Sequence, residues 1–243
     1  MRLKGQRVVV IGGASGIGLA VATATRAEGA RVAVVGRSKD RLETALREIG
    51  PEAESAVADA RDPAAIAAAL VTWAPIDHFA TTTSVSASNV GVQKSMAHMP
   101  LAGARAFFEG KLWSQYTAVQ AALPHLSPGG SITFTSGVAS RKSLPNHTVI
   151  AANNAAIEAM AKQLAREIAP RRVNVISPGL TTTHVYDHLS PTEREAFFAH
   201  VTGKLPIPRP ATPEEIAAAY VFAMTSSYLT GAVIDIDGGL LVQ

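Results

Sequence analysis

Residues 7–18 read RVVVIGGASGIG, in which a run of β-branched apolar residues meets glycines at 12, 16 and 18 and then a helical pattern. A strand, a tight turn and a helix N-terminus in that order make a cradle for phosphate. The first backbone N–H groups of a helix lack partners of their own and carry the positive end of its dipole. Gly12 allows the reversal after the strand, Gly16 lets the backbone approach a pyrophosphate, and Gly18 lets the helix pack close to the sheet. With Ser15 and Ile17 between them, these are the candidate phosphate-binding residues. A second apolar run ends in Val35-Gly36-Arg37-Ser38. A carboxylate at such a strand end bonds a ribose 2′-hydroxyl and repels a 2′-phosphate. Here Gly36 removes the carboxylate, Arg37 supplies a planar cation, and Ser38 and Ser15 supply hydroxyls. The pattern favours NADP(H) over NAD(H).

The elements that must position these residues alternate along the chain. Candidate strands are Val8–Ile11, Val32–Val35, Ser55–Val57, Asp77–Ala80, Ser131–Thr135, Val173–Ile176 and Val233–Ile236. Ala-rich helical stretches fall at 17–28, 39–48, 63–73, 103–125, 151–168 and 213–226. Such alternation predicts parallel βαβ units and a sheet covered on both faces. Turn signals such as Pro128-Gly129-Gly130 and Pro178-Gly179 punctuate the strand edges. With no repeat or linker, residues 1–243 read as one α/β domain.

Composition narrows the function classes. A hydrophobic fraction of 47% with 17% charged residues suits a domain with a substantial core. The absence of cysteine excludes disulfides, thiolate nucleophiles and cysteine-ligated metals, and the acids and histidines lack ligand-like spacing. The net charge is +3, and the densest basic cluster, Arg166, Arg171 and Arg172, reads as a helix end rather than a nucleic-acid stripe. No apolar stretch approaches the roughly 18 residues of a membrane span, and the N-terminus lacks a signal-peptide core. The expectation is therefore a cytoplasmic protein with a small-molecule substrate, and with neither nucleic acid nor membrane as partner.

The glycine spacing is GxxxGxG, and with later segments it resembles the short-chain dehydrogenase/reductase family over nearly the full length. The supporting stretches are IGGASGIG (11–18), ADARD (58–62), LPHL before GGSITFTS (123–136), VNVISPGLTTT (173–183) and YLTGAVIDIDGG (228–239). The resemblance implies a Rossmann-type, doubly wound, seven-stranded parallel sheet with helices on both faces, and a homotetramer or homodimer. It implies that Asp59 meets an adenine with Ala60 alongside. It also implies that the loop from Pro178 and Gly179 reaches a nicotinamide carboxamide through Thr181 and Thr183. The family's Asn-Asn-Ala-Gly after the fourth strand stands here as Thr81-Thr82-Thr83-Ser84, so Thr82 is carried over with a hydroxyl in place of an amide.

The family's catalytic set is a different matter. Its chemistry uses a tyrosine phenol to protonate a carbonyl oxygen and a lysine one helical turn on. A serine orients substrate, and a helix asparagine supports a proton relay. Aligning AAIEAMAKQLARE (155–167) without a gap puts Ile150 at the tyrosine position and Asn154 at the lysine position. A shift by one gives Val149 and Asn153, and no tyrosine stands between Tyr116 and Tyr186. The serine position falls on Gly137, becoming Ser136 only with an inserted residue, and the asparagine position falls on Lys111. General acid catalysis is typically worth about 10²–10⁴-fold, so the ordinary mechanism should be nearly absent.

Substitute proton donors to consider are Ser136, His147 and His184, with Lys111, Lys142, Ser143, Tyr186 and His188 in nearby segments. Histidine titrates near neutral pH, which puts His147 and His184 first. Two function classes stay open. One is an atypical NADP(H)-dependent oxidoreductase acting on an activated carbonyl, quinone or iminium. The other is a non-catalytic NADP(H)-binding sensor or regulator. For assembly, the helices 103–125 and 151–168 and the apolar C-terminal GAVIDIDGGLLVQ are the expected contact surfaces.

Overall fold

The computed structural model describes residues 1–85 and 90–243. Seven strands form one parallel sheet: β1 (Arg7–Ile11), β2 (Arg31–Gly36), β3 (Glu54–Val57), β4 (Ile76–Thr81), β5 (Leu126–Thr135), β6 (Arg172–Pro178) and β7 (Val233–Ile236), in the order β3-β2-β1-β4-β5-β6-β7. Strand order reverses between β1 and β4, so the connections leave their carboxyl ends toward opposite faces and a crevice opens there. Each predicted strand lies inside an observed one.

Alternation along β1 and β2 explains the layers. Val8, Val10, Val32 and Val34 point to one face, covered by α1 (Gly16–Ala27), α2 (Lys39–Ile49) and α8 (Pro213–Thr225). Val9, Ile11, Ala33 and Val35 point to the other, covered by α3 (Pro63–Val71), α5 (Ser114–Ala122) and α6 (Thr148–Glu167). The strands are apolar on both sides because both sides are buried.

Two elements depart from the sequence expectation. The segment expected as one helix over 103–125 is α4 (Leu101–Phe108), a π-turn (Glu109–Trp113) and then α5. The disturbance is centred where Gly110 meets Val85; a Cβ at 110 would lie 2.3 Å from Val85 Cγ1. An additional helix, α7 (Pro191–Thr202), begins at a capping box formed by Ser190 and Glu193. Its partner in packing is local: Phe197 and Phe198 hold the ring of Tyr186 at 5.5 and 5.2 Å between centroids.

Candidate active site

A cleft of about 950 Å³ lies at the carboxyl ends of the strands, within the range of small-molecule and cofactor sites. Its phosphate end is built by the glycine turn. Gly12 has φ +84° and Gly16 φ +53°, conformations that side chains resist. A Cβ at Gly18 would lie 2.2 Å from the Gly12 carbonyl oxygen and 2.5 Å from Thr82 Oγ1, so only glycine lets α1 approach the strand. Ser15 caps α1 with extended backbone but no side-chain hydrogen bond. The first-turn N–H groups therefore have no capping side chain and face the cleft as an anion site.

Hydroxyls brace the floor. Thr82 Oγ1 donates to the Ile11 carbonyl at 3.0 Å, and Thr83 Oγ1 lies 2.8 Å from Ser114 Oγ. Thr81 Oγ1 donates to Gln115 Oε1 at 2.6 Å, and Gln115 Nε2 reaches the Thr135 carbonyl at 2.9 Å. Thus threonines tie β1, β4 and β5 to α5 where amides were expected.

At the far end, Gly36, Arg37 and Ser38 border the same cleft. Ser38 accepts the Arg41 backbone N–H as the N-cap of α2. Among the described residues, Arg37 and Arg41 form no ion pair, and both line the cleft. Arg41 escaped the sequence reading, although it stands one helical turn beyond Arg37. Asp59 pairs with Arg61 at 2.6 Å, which holds its carboxyl down at about 2. Ala60, Pro178, Gly179, Thr181 and Thr183 line the same space, as do Ile17 and Thr82. A Cβ at Gly179 would lie 2.8 Å from Asp237 Cα, so the loop after β6 is seated directly against the segment after β7. Every residue singled out as cofactor-binding therefore lines one cleft.

The residues aligned with the family's catalytic positions also converge there. Lys111, in the π-turn, is 7% exposed. Its Nζ donates to Asn154 Oδ1 at 2.7 Å and to the Ser136 carbonyl at 2.8 Å. Burial pushes the ammonium down to about 8, with nearby Glu158 opposing that shift. Asn154 takes the room left by Gly137, where a Cβ would lie 2.9 Å from Asn154 Nδ2. Ile150 borders the cleft and packs on Val92, Phe107 and Val149, an apolar wall where a phenol was sought.

The remaining proton-donor candidates separate clearly. Ser136 Oγ donates to Glu158 Oε1 at 2.8 Å, and Ser140 Oγ to the same oxygen at 2.6 Å, so the Ser136 proton is engaged by Glu158. His147 lines the cleft, but its Nδ1 is turned to the Pro145 carbonyl at 2.6 Å. His184 lies over the glycine turn, its Nδ1 3.5 Å from where a Gly16 Cβ would stand. Burial holds its pKa down, reinforced by Arg41 and opposed by Asp187. Tyr186 borders the cleft with its phenol pushed up by burial, the opposite of activation. Lys142 contacts the Gln243 carbonyl, His188 turns to the Val185 carbonyl at 2.9 Å, and neither these two nor Ser143 lines the cleft. Glu158, missed in the sequence, ties Ser136, Ser140 and Arg141 together behind Lys111. Its signal was its place one turn beyond Asn154.

Among the described residues, no cluster of three acids or histidines is placed to hold a metal ion. None of the described helices is long and apolar enough to cross a membrane.

Known proteins resemble this chain over nearly its whole length. Residues 12–241 match the family model described as enoyl-(acyl carrier protein) reductase. A short-chain dehydrogenase/reductase of Stachybotrys chlorohalonatus, ATR9, is 30% identical with 99% of each chain covered. The 3-oxoacyl-[acyl-carrier-protein] reductase FabG of Thermotoga maritima is 29% identical with 100% of each covered. Among solved structures, a small-chain dehydrogenase in complex with NADPH superposes with a TM-score of 0.83 at 36% identity, covering 99% of this chain and 100% of that one. A short-chain dehydrogenase/reductase from Serratia marcescens superposes with a TM-score of 0.88 at 26% identity, covering 99% and 100%.

Proposed function

The chain belongs to the short-chain dehydrogenase/reductase family of oxidoreductases, and on that footing we propose that it is an atypical, NADP(H)-preferring member with a non-standard active site. The observation that carries the cofactor assignment is the pair Arg37, just after β2, and Arg41, in the first turn of α2, without ion-pair partners among the described residues and bordering the same cleft as the uncapped α1 N-terminus. Two guanidinium groups beside a cradle of N–H donors suit a pyrophosphate followed by a 2′-phosphate. The glycine turn and the threonine braces fit such a group, and the Asp59 carboxylate is occupied by Arg61. The related small-chain dehydrogenase with NADPH supports the same assignment.

Gly12, Ser15, Gly16, Ile17 and Gly18 would hold the pyrophosphate, and Arg37, Ser38 and Arg41 the 2′-phosphate. Asp59 and Ala60 would border the adenine, while Thr82, Pro178, Gly179, Thr181 and Thr183 would border the nicotinamide side. When bound, the reduced nicotinamide supplies a hydride. The chain would orient the acceptor against an apolar wall of Ile150, Val138, Phe197 and Val201. With no phenol on α6, an acceptor already activated toward hydride, such as a quinone, an iminium or an activated carbonyl, depends least on a strong acid.

The test is a titration with NADPH and NADH, followed by absorbance assays with 9,10-phenanthrenequinone and with cyclohexanone. We expect NADPH to bind at least ten-fold tighter and the quinone to be reduced far faster than the ketone. Equal cofactor affinities would overturn the first part, and ketone turnover equal to quinone turnover the second. The apolar packing of Ile150 also favours a second reading, a non-catalytic NADP(H) sensor, for which binding would occur with no turnover of either acceptor. Self-association into a dimer or tetramer is a further part of the proposal. It rests on the exposed edge-to-face pair Trp113 and Tyr116 on the outer side of the helix pair and on exposed Phe222 and Tyr228.

A further inference from the structure

Three of the four departures at the catalytic positions are physically linked. Gly137 leaves space for the Asn154 amide, the Asn154 carbonyl oxygen accepts from Lys111, and the π-turn at Glu109–Trp113 carries Lys111 into the cleft. Relative to the family layout, the amine and the amide have exchanged helices. We propose that this transposed pair is the proton source of the site: Lys111 is a catalytic acid, and Asn154 is its positioning residue. This rests on the reading that the cleft takes a reduced nicotinamide.

The geometry supports the role directly. An ammonium has three N–H donors. Two are held by Asn154 Oδ1 and the Ser136 carbonyl, and among the described residues the third has no protein partner. Lys111 lines the cleft, so that third donor is available to a molecule bound there. On reduction, a hydride adds to the electrophilic carbon of a C=O group and the π pair moves to oxygen. Lys111 Nζ gives that oxygen its proton, so an N–H bond breaks as the O–H bond forms. The neutral amine then regains a proton from water.

The charged surroundings are few. Glu158 on α6 faces the ammonium from behind Ser136, and Arg141 balances it through an Nε–Oε2 contact of 3.4 Å. Glu109 on the same turn, Arg105 on α4 and Lys162 on α6 are exposed. With desolvation opposed by one partly neutralised carboxylate, the ammonium stays charged at neutral pH and is easier to deprotonate than a solvated lysine.

The experiment compares wild type with Lys111→Met, Lys111→Arg and Asn154→Ala in the full chain. A readout independent of turnover comes first: ¹³C NMR of lysine Cε in the nucleotide-free protein. One lysine should titrate near pH 8, and its signal should vanish in Lys111→Met. Lysines that all titrate above pH 10 would overturn the proposal, whether or not turnover is seen. The second readout is the pH profile of NADPH-dependent quinone reduction. Wild-type turnover should fall as pH rises through about 8. Lys111→Met should be slower by about ten-fold or more, short of the roughly 10²–10⁴-fold typical of general acid catalysis because the quinone is already activated, and flat with pH. Lys111→Arg, which keeps the charge but cannot release a proton, should bind NADPH and still be slow. Asn154→Ala, which removes the partner that positions the ammonium, should shift the pH midpoint and lower turnover by less than Lys111→Met does. An unchanged profile in Lys111→Met would refute the assignment. Failure of wild type to bind NADPH would instead refute the cofactor reading, so the two failures are distinct.

Discussion

Arg37→Asp gives the sharpest test of how the cleft reads its ligand. Arg37 follows β2, is exposed, borders the cleft and has no ion-pair partner among the described residues. A hydrogen bond to a charged group is worth about 1.5–3 kcal/mol, and the exposure of this guanidinium puts it near the lower end. Removing it therefore weakens 2′-phosphate binding by about 1.5 kcal/mol. The new carboxylate also faces a phosphate dianion. At about 5 Å in water that repulsion is about 1.5 kcal/mol, roughly halved by physiological salt. The sum, about 2–3 kcal/mol, is a loss of some 30- to 150-fold in NADPH affinity. NADH has only a 2′-hydroxyl at that place, which a carboxylate accepts from, so its affinity should hold or improve. Calorimetric titration of both nucleotides into wild type, Arg37→Asp and Arg37→Ala gives the ratio directly. Arg47→Ala is the control, because Arg47 sits in the last turn of α2 and bonds Thr44 rather than bordering the cleft. An NADPH-to-NADH ratio that stays within two-fold of wild type in Arg37→Asp would refute the 2′-phosphate assignment.

Other expectations follow from the same packing. Gly18→Ala should lower NADPH affinity at least ten-fold and stability by about 1–3 kcal/mol, because its Cβ would meet the Gly12 carbonyl at 2.2 Å and backbone cannot move aside. Gly129→Ala, with nothing within 4 Å of its Cβ, should be neutral in the same thermal melts, and equal losses would contradict the close-approach argument. His78 is 4% exposed, accepts the Ser131 hydroxyl at Nδ1 (2.7 Å) and donates from Nε2 to Gln6 Oε1 (3.0 Å). Burial pulls its pKa from 6.5 to about 4, so the unfolded chain binds the extra proton between these values and stability falls as pH drops through that window. Urea melts should show a loss of up to about 3 kcal/mol between pH 7 and pH 4 that is absent in His78→Leu; an identical slope in both would exclude His78 as its source. His184, over the glycine turn with its pKa held down, is neutral in the free protein and gains from protonation beside an anion. NADPH affinity should therefore rise from pH 8 to pH 6 in wild type and not in His184→Gln, with proton uptake measured by calorimetry in buffers of different ionisation enthalpy.

What was legible in the sequence was whatever depends on short-range pattern. The strands announced themselves as apolar β-branched runs, and the phosphate cradle as glycines at fixed offsets after the first of them. The break at Glu109–Trp113 was not legible, because it follows from Gly110 meeting Val85, a contact made only once the chain has folded. The helix Pro191–Thr202 was spelled by its Ser190-to-Glu193 capping box, but it shows no consistent apolar face and buries little beyond Thr202. Arg41 was hidden for a simpler reason: one turn into a charged helix, its residue type alone does not distinguish it from Arg47. At the positions aligned with the family's catalytic set, the sequence showed the residue types, Lys111, Gly137, Ile150 and Asn154. It did not show that Lys111 and Asn154, 43 residues apart, meet at 2.7 Å, because that requires the π-turn and α6 to lie side by side.

That meeting bears on whether the site is a ruin or a rearrangement. Independent losses at four positions would leave holes and unpaired groups, since no side chain would have reason to fill the space vacated by another. Here the space at Gly137 is taken by Asn154, and the oxygen of Asn154 is taken by Lys111. A buried ammonium is also a poor way to build a mere nucleotide-binding shell. Desolvating it is expensive, and a well-packed apolar side chain of similar volume is often neutral or stabilising in its place. Set against that gain, Lys111→Met leaves Asn154 Oδ1 and the Ser136 carbonyl without their donor, at about 1–3 kcal/mol each, so the variant should melt somewhat lower than wild type while its turnover falls further. A desolvated cation held by two acceptors on the wall of the cleft, with a donor to spare, is the arrangement expected of chemistry.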